Sequence, residues 1–139
     1  MSSLSLPPQP RPDPDSEDFW RATEAGRIEL CRCRQCGLWH HPPLERCRDC
    51  AGETHFEPIQ GTGQLHSYIV VRHAAVPGYL DELPYVIGLV ELDDQPGLRV
   101  VGQLPEVDPA AIEPGSRVQA GIGVLPPGDF HVIHFRITD

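Results

Sequence analysis

The sequence predicts a mainly β protein: a short N-terminal helix, a small cysteine-centred module and a five-stranded barrel. Three observations carry this. The 139 residues include 16 Pro and 13 Gly, a composition that interrupts helices and favours short strands joined by turns. Four of the five cysteines fall into two C-x-x-C pairs between positions 33 and 50. From position 61 onward, runs rich in β-branched residues are separated by Gly/Pro turns.

Taken in order, residues 1–15 (MSSLSLPPQPRPDPD) are Ser/Pro-rich and are expected to form a disordered tail. They lack the apolar stretch of a secretory signal, and no apolar run is long enough to span a membrane. With cysteines in metal-type spacing, this predicts a cytoplasmic protein with no membrane partner. Residues 16–26 read as a helix. Ser16 is the expected N-cap, Glu17 and Asp18 occupy the first turn, and Gly26 is the stop. Phe19, Trp20, Ala22 and Thr23 make its apolar stripe. So short a helix needs a surface to pack on. That surface is either the adjoining cysteine module or a partner protein, with Phe19 and Trp20 as the contacts.

Residues 27–58 hold the cysteines. Cys33-x-x-Cys36-Gly37 and Cys47-x-x-Cys50 are separated by the ten residues 37–46, a spacing that signals zinc. Each pair lets one tight turn present two thiolates to one ion, and Gly37 permits the positive φ such a turn needs. The matching glycine of the second turn comes late, at Gly52. Cys33, Cys36, Cys47 and Cys50 would close a tetrahedral Zn2+ site with no open position, which makes it structural. Cys31 is expected to turn away as a spectator. Using His40 or His41 instead would discard one cysteine from a complete set.

Residues 59–139 hold five expected strands, at 63–73, 85–92, 98–104, 117–125 and 130–137, with one helical turn at 108–112. Five strands with a short helix between the third and fourth is the order of an OB-fold barrel. Gly88, Gly102, Gly121 and Gly123 fall inside strands, where they suit bulges and sharp bends. The loop 73–85 is long and apolar, and Val76, Tyr79 and Leu80 make it a candidate contact for a partner or a cover for a channel; simple capping of the barrel is the alternative.

Charge narrows the function. The net charge is −9, and every basic residue is Arg. Residues 21–50 carry six Arg against four carboxylates, whereas residues 51–139 carry four Arg against twelve. An acidic barrel with 6% aromatic residues argues against nucleic-acid binding, the alternative role for a zinc-ribbon/OB module. Arg32, Arg34, Arg46 and Arg48 surround the cysteines. They either balance the anionic thiolates or meet the phosphates of a ligand. The seven histidines fall in no obvious triad, and no Gly-rich phosphate loop occurs, so no catalytic residue is assigned.

The order of Phe19-Trp20, Gly26, Cys33-x-x-Cys36-Gly37, Pro42-Pro43, Cys47-x-x-Cys50, Gly61-x-Gly63, Pro77-Gly78, Pro84-Tyr85, Glu91-Leu92 and Gly115 before Val118 resembles the acyl-CoA-associated family called domain of unknown function 35. The resemblance covers residues 16–137. It departs at Arg48, where the family often has Pro after the cysteine. It implies a rubredoxin-like zinc ribbon followed by an OB barrel. It also implies a non-catalytic accessory subunit, required by a thiolase-like partner that acts on CoA thioesters. Such partners are aldolases or acyltransferases, some in sterol side-chain or other lipid degradation, and the assembly would be a hetero-oligomer that shares the CoA moiety of its substrate.

Overall fold

In the run Tyr85–Leu92 every second residue is buried, with Val86, Gly88, Val90 and Leu92 turned inward. That period of two is what a strand of a closed sheet requires. The computed structural model describes residues 6–73 and 75–138. In chain order the elements are α1 (Glu17–Glu24), β1 (Glu29–Cys33), β2 (Trp39–His40), β3 (Thr54–Pro58), β4 (Thr62–Val71), β5 (Tyr85–Leu92), β6 (Arg99–Leu104), β7 (Arg117–Leu125) and β8 (Phe130–Ile137). A 3-10 turn spans Leu80–Glu82.

Strands β4–β8 close a barrel in the order β4-β5-β6-β8-β7, antiparallel except where β6 meets β8. This is the expected OB-fold order. Leu65, Val90, Val100, Val118 and Phe135 fill its interior. Gly88 and Gly102 are cross-strand partners. A Cβ at Gly88 would lie 2.5 Å from Leu104, and one at Gly102 would lie 2.7 Å from the Phe135 ring. These glycines therefore make room for large neighbours. The register shift between Leu65 and Ser67 is the bulge, and it leaves His66 as the extra residue.

The ribbon is a three-stranded sheet, β2-β1-β3. Its Leu30 and Trp39 join the same buried cluster as the barrel interior. Gln95, in the β5–β6 turn, ties the two sheets. Its Oε1 accepts the Trp39 backbone N–H (2.9 Å) and its amide donates to the Trp39 carbonyl (3.2 Å).

Helix α1 packs within the chain. Trp20 stands edge-on to Phe19 (5.0 Å) and to Phe130 of β8 (5.6 Å), while Ala22 and Thr23 are buried. Three expectations are corrected. Ser16 sits at the N-cap, but its hydroxyl accepts from the Asp13 N–H rather than capping the helix. Asp13 organises the entry instead, its carbonyl accepting the N–H groups of Ser16 (3.0 Å) and Glu17 (2.8 Å). Asp followed by Pro14 is a favoured start for such a turn. At 108–112 the chain makes a turn and no helix: the Asp108 side chain and carbonyl take the N–H groups of Ala110 and Ala111. Pro114 disfavours the helical region at Glu113, which opposes propagation of a helix. Finally, residues 1–5 of the expected tail lie outside the described residues, but Pro7 is buried and Gln9 donates to the Pro126 carbonyl at 2.8 Å. A proline-rich segment loses little entropy on docking, so few contacts suffice to fix it.

Candidate functional site

The ribbon sheet brings two tight turns together. The first follows β1. The backbone N–H groups of Gln35 and Cys36 each point at Cys33 Sγ (3.4 Å), and Gly37 closes the turn at φ 78° with its N–H on the Cys33 carbonyl. The second repeats the pattern: the Asp49 N–H points at Cys47 Sγ (3.4 Å) and the Ala51 N–H bonds the Cys47 carbonyl (2.9 Å). Ala51 adopts φ 61°, the left-handed region reserved in the first turn for Gly37. Gly52 is needed for a different reason. A Cβ there would lie 2.7 Å from Gln35 Oε1 and 3.1 Å from Cys33 Sγ.

The sulfurs of Cys33, Cys36, Cys47 and Cys50 all lie within 4.8 Å of one another, and the Cys33–Cys50 and Cys36–Cys47 pairs are 3.5 Å apart. A zinc–sulfur bond of about 2.3 Å puts the corners of a thiolate tetrahedron about 3.8 Å apart. The donor set and its spacing therefore fit one zinc ion. The Cys36 backbone N–H, aided by that of Gln35, pulls Cys33 down to about 6. At Cys36 the Leu38 N–H lowers the value, but burial and hydrogen bonds with Cys47, Cys33 and Cys50 outweigh it and push the thiol up to about 12. Without a metal the cluster holds protons that zinc must displace.

Cys31 does stay out of the cluster, but not by pointing to the other face. Residues two apart on a strand share a face. Its buried thiol lies 3.4 Å from the Leu44 carbonyl, one step along β1 from the metal cage. His40 is fully buried opposite Cys31, both ring nitrogens lack a hydrogen-bond partner among the described residues, and burial lowers its pKa. It lies outside the thiol cluster.

The four arginines separate. Arg32 is committed to structure: it stacks on Trp39 (4.7 Å), donates to the Gly37 carbonyl (2.7 Å) and pairs with Glu57 (3.3 Å). Glu57 also bonds His55. Burial works against its charged form, but His55 and Arg32 outweigh that and hold it below the ordinary carboxylate value. Arg34 and Arg46 line one cleft of about 400 Å³ beside the second turn, and Arg48 is exposed. Phe19 and Trp20 are half-buried, Trp20 against Phe130. Tyr79 stacks on Tyr85 (5.2 Å), while Val76 and Leu80 stand exposed. Sequence reasoning missed Gln95, which carries no motif. It also missed the outward apolar side chains of β4–β6, whose signal is an unbroken apolar run at 86–90 where polar residues should alternate.

Two family models match the chain: the rubredoxin-like zinc ribbon domain of ChsH2 over residues 20–57 and the C-terminal OB-fold domain of ChsH2 over residues 56–122. A solved chain from a structure described as the Ltp2-ChsH2(DUF35) aldolase superposes with a TM-score of 0.84 at 32% identity, over 93% of this chain and 98% of that one. The chain belongs to the DUF35 family. A DUF35 domain-containing scaffold protein of Methanocaldococcus jannaschii is 36% identical over 91 residues, which is 64% of this chain and 62% of that protein. A probable enoyl-CoA hydratase alpha subunit of Thermomonospora curvata is 36% identical over 116 residues, and a 3-oxo-4,17-pregnadiene-20-carboxyl-CoA hydratase alpha subunit of Mycobacterium tuberculosis is 30% identical over 112. This DUF35 chain spans only 35% of the length of each of those two subunits. A Sulfolobus solfataricus DUF35 structure of unknown function, at 16% identity and a TM-score of 0.58, shares the fold. The four cysteines are thus the structural zinc site of a DUF35 ribbon. No helix among the described residues is long and apolar enough to cross a membrane.

Proposed function

We propose that this DUF35 chain is a non-catalytic accessory subunit that binds and enables a thiolase-like partner acting on CoA thioesters, an aldolase or acyltransferase of lipid or sterol side-chain degradation. The observation that carries the reading is the likeness, along nearly the whole chain, to the DUF35 chain of an aldolase complex. The chemistry of the site supports it. Four thiolates fill a tetrahedral ion and leave no position for substrate or water, so the metal holds the ribbon rigid and performs no Lewis-acid step. Partner contacts are assigned to Phe19, Trp20, Val76, Tyr79 and Leu80. Arg34 and Arg46, in their shared cleft, are the groups best placed to meet CoA phosphates, with exposed Arg48 nearby in sequence; Arg32 is already engaged. An acidic barrel disfavours nucleic acid. The assembly is a cytoplasmic hetero-oligomer.

The test is co-expression with a thiolase-like protein from the same genome, followed by assay of each protein alone and of the complex on CoA thioesters. The expected result is a co-purifying pair in which the partner turns over substrate only with the DUF35 chain present. Full activity of the partner alone, or turnover by the DUF35 chain alone, would overturn the reading.

A further inference from the structure

A closed barrel fills its interior with inward side chains, so the outward residues of its strands should be polar unless something covers them. Here they are not. On the outside of β4, β5 and β6, Ile69 stands opposite Ile87 and Leu89 opposite Val101. Ile69 is 62% exposed and Val101 59%. Toward β7 and β8 the same wall sinks into a cavity of about 390 Å³, whose apolar sides include Ile87, Val101, Val124, Val132 and Tyr79. Of the seven large apolar side chains exposed among the described residues, Ile69, Val76, Leu80, Val101 and Val124 lie on this wall or in the loop beside it. The polar groups at its edge are mostly satisfied already. Arg99 pairs with Glu91 (3.1 Å) and Gln103 donates to Glu82 (3.0 Å). An apolar centre, a concavity for an anchoring side chain and a self-satisfied polar edge are the anatomy of a protein interface.

We infer that this outer wall of β4, β5 and β6, with the cavity at its end, seats an aliphatic ridge of the partner subunit, bordered by Lys or Arg. The inference rests on the accessory-subunit reading and names the surface that serves it. Charge selects the occupant. Residues 59–139 carry four Arg against ten carboxylates, so this barrel repels a second copy of itself, an anionic membrane and a nucleic acid, and attracts a basic border.

The experiment compares the unaltered chain with Ile69→Asp, Val101→Asp and, on the ribbon, Leu44→Asp, in binding to the co-expressed thiolase-like subunit. Zinc content and melting temperature control for folding. At least an approximately 30-fold loss of affinity is expected for Ile69→Asp and Val101→Asp, and none for Leu44→Asp. Undiminished binding by both wall variants would overturn the inference and leave the accessory role standing. Failure of the unaltered chain to bind the subunit at all overturns the accessory role and the inference with it. Self-association that Val101→Asp abolishes would overturn the choice of a foreign partner. If the variants fold poorly, carbene footprinting of the unaltered complex decides: protection of Ile69 and Val101 supports the wall, and full labelling of both rejects it.

Discussion

Ala51 does in the second metal-holding turn what Gly37 does in the first, and Gly52 meets a separate need. Each metal-holding turn ends in a residue at positive φ, 78° at Gly37 and 61° at Ala51. The second turn also needs a residue with no Cβ one place later, because Gln35 and the sulfurs of Cys33 and Cys50 crowd position 52. Alanine in the left-handed region costs about 1–2 kcal/mol, partly offset by the smaller entropy it loses on folding. Ala51→Gly should therefore stabilise the zinc-loaded ribbon by roughly 0.5–1 kcal/mol, read as slower zinc loss to a chelator and a higher melting temperature. Gly52→Ala should do the reverse. At the same scale, Arg32 is a lesson in prediction. Its charge and position beside the cysteines are plain in the sequence. That it is held by Trp39, Gly37 and Glu57, and so is not free for a ligand, depends on a cross-strand register no local pattern encodes.

At the level of elements, the barrel is stitched by a carboxylate. Asp93, at the end of β5, accepts from Thr62 at the start of β4 (2.8 Å) and pairs with Arg117 at the start of β7. The Arg117 hydrogen bonds, then that of Thr62, hold its pKa below the ordinary value. A carboxylate with a depressed folded pKa contributes stability that is present above its unfolded pKa and is lost as pH falls through the folded value. Asp93→Asn should thus lower the melting temperature at neutral pH, and the gap from the parent should shrink as pH drops below about 4. A gap that stayed constant on acidification would remove the ion pair from the account. The strands themselves were legible because alternation and Gly/Pro punctuation are local. Cysteine spacing exposed the metal set for the same reason. The helical turn at 108–112 was not legible, because Asp108 and Pro109 start a helix and a turn equally well and only Pro114 arbitrates. The outer wall was hidden by the period-two rule itself, which names one apolar face per strand and has no reason to expect two.

At the scale of the whole molecule, ribbon and barrel are separate sheets with one continuous core, since Leu30 and Trp39 are buried with Leu92, Leu98 and Phe135. Gln95 reinforces that junction. Replacing it with Ala removes two hydrogen bonds to Trp39 backbone groups, for an expected loss of about 1–3 kcal/mol. Native-state hydrogen exchange should register it as faster exchange at the Trp39 amide with the strands of β4–β8 unaffected; an unchanged Trp39 amide would mean the junction is held by apolar packing alone.

The same glutamine has a bearing on solubility. In an antiparallel pair, one residue turns both its N–H and its C=O to the same side. On β2, the outer strand of the ribbon, Trp39 turns both away from β1, toward what would otherwise be an open sheet edge. An open edge is a template on which a strand from another molecule can add. The primary amide of Gln95 imitates a peptide group and occupies both positions, so the chain supplies its own terminating rung and leaves a neighbouring molecule nothing there to extend.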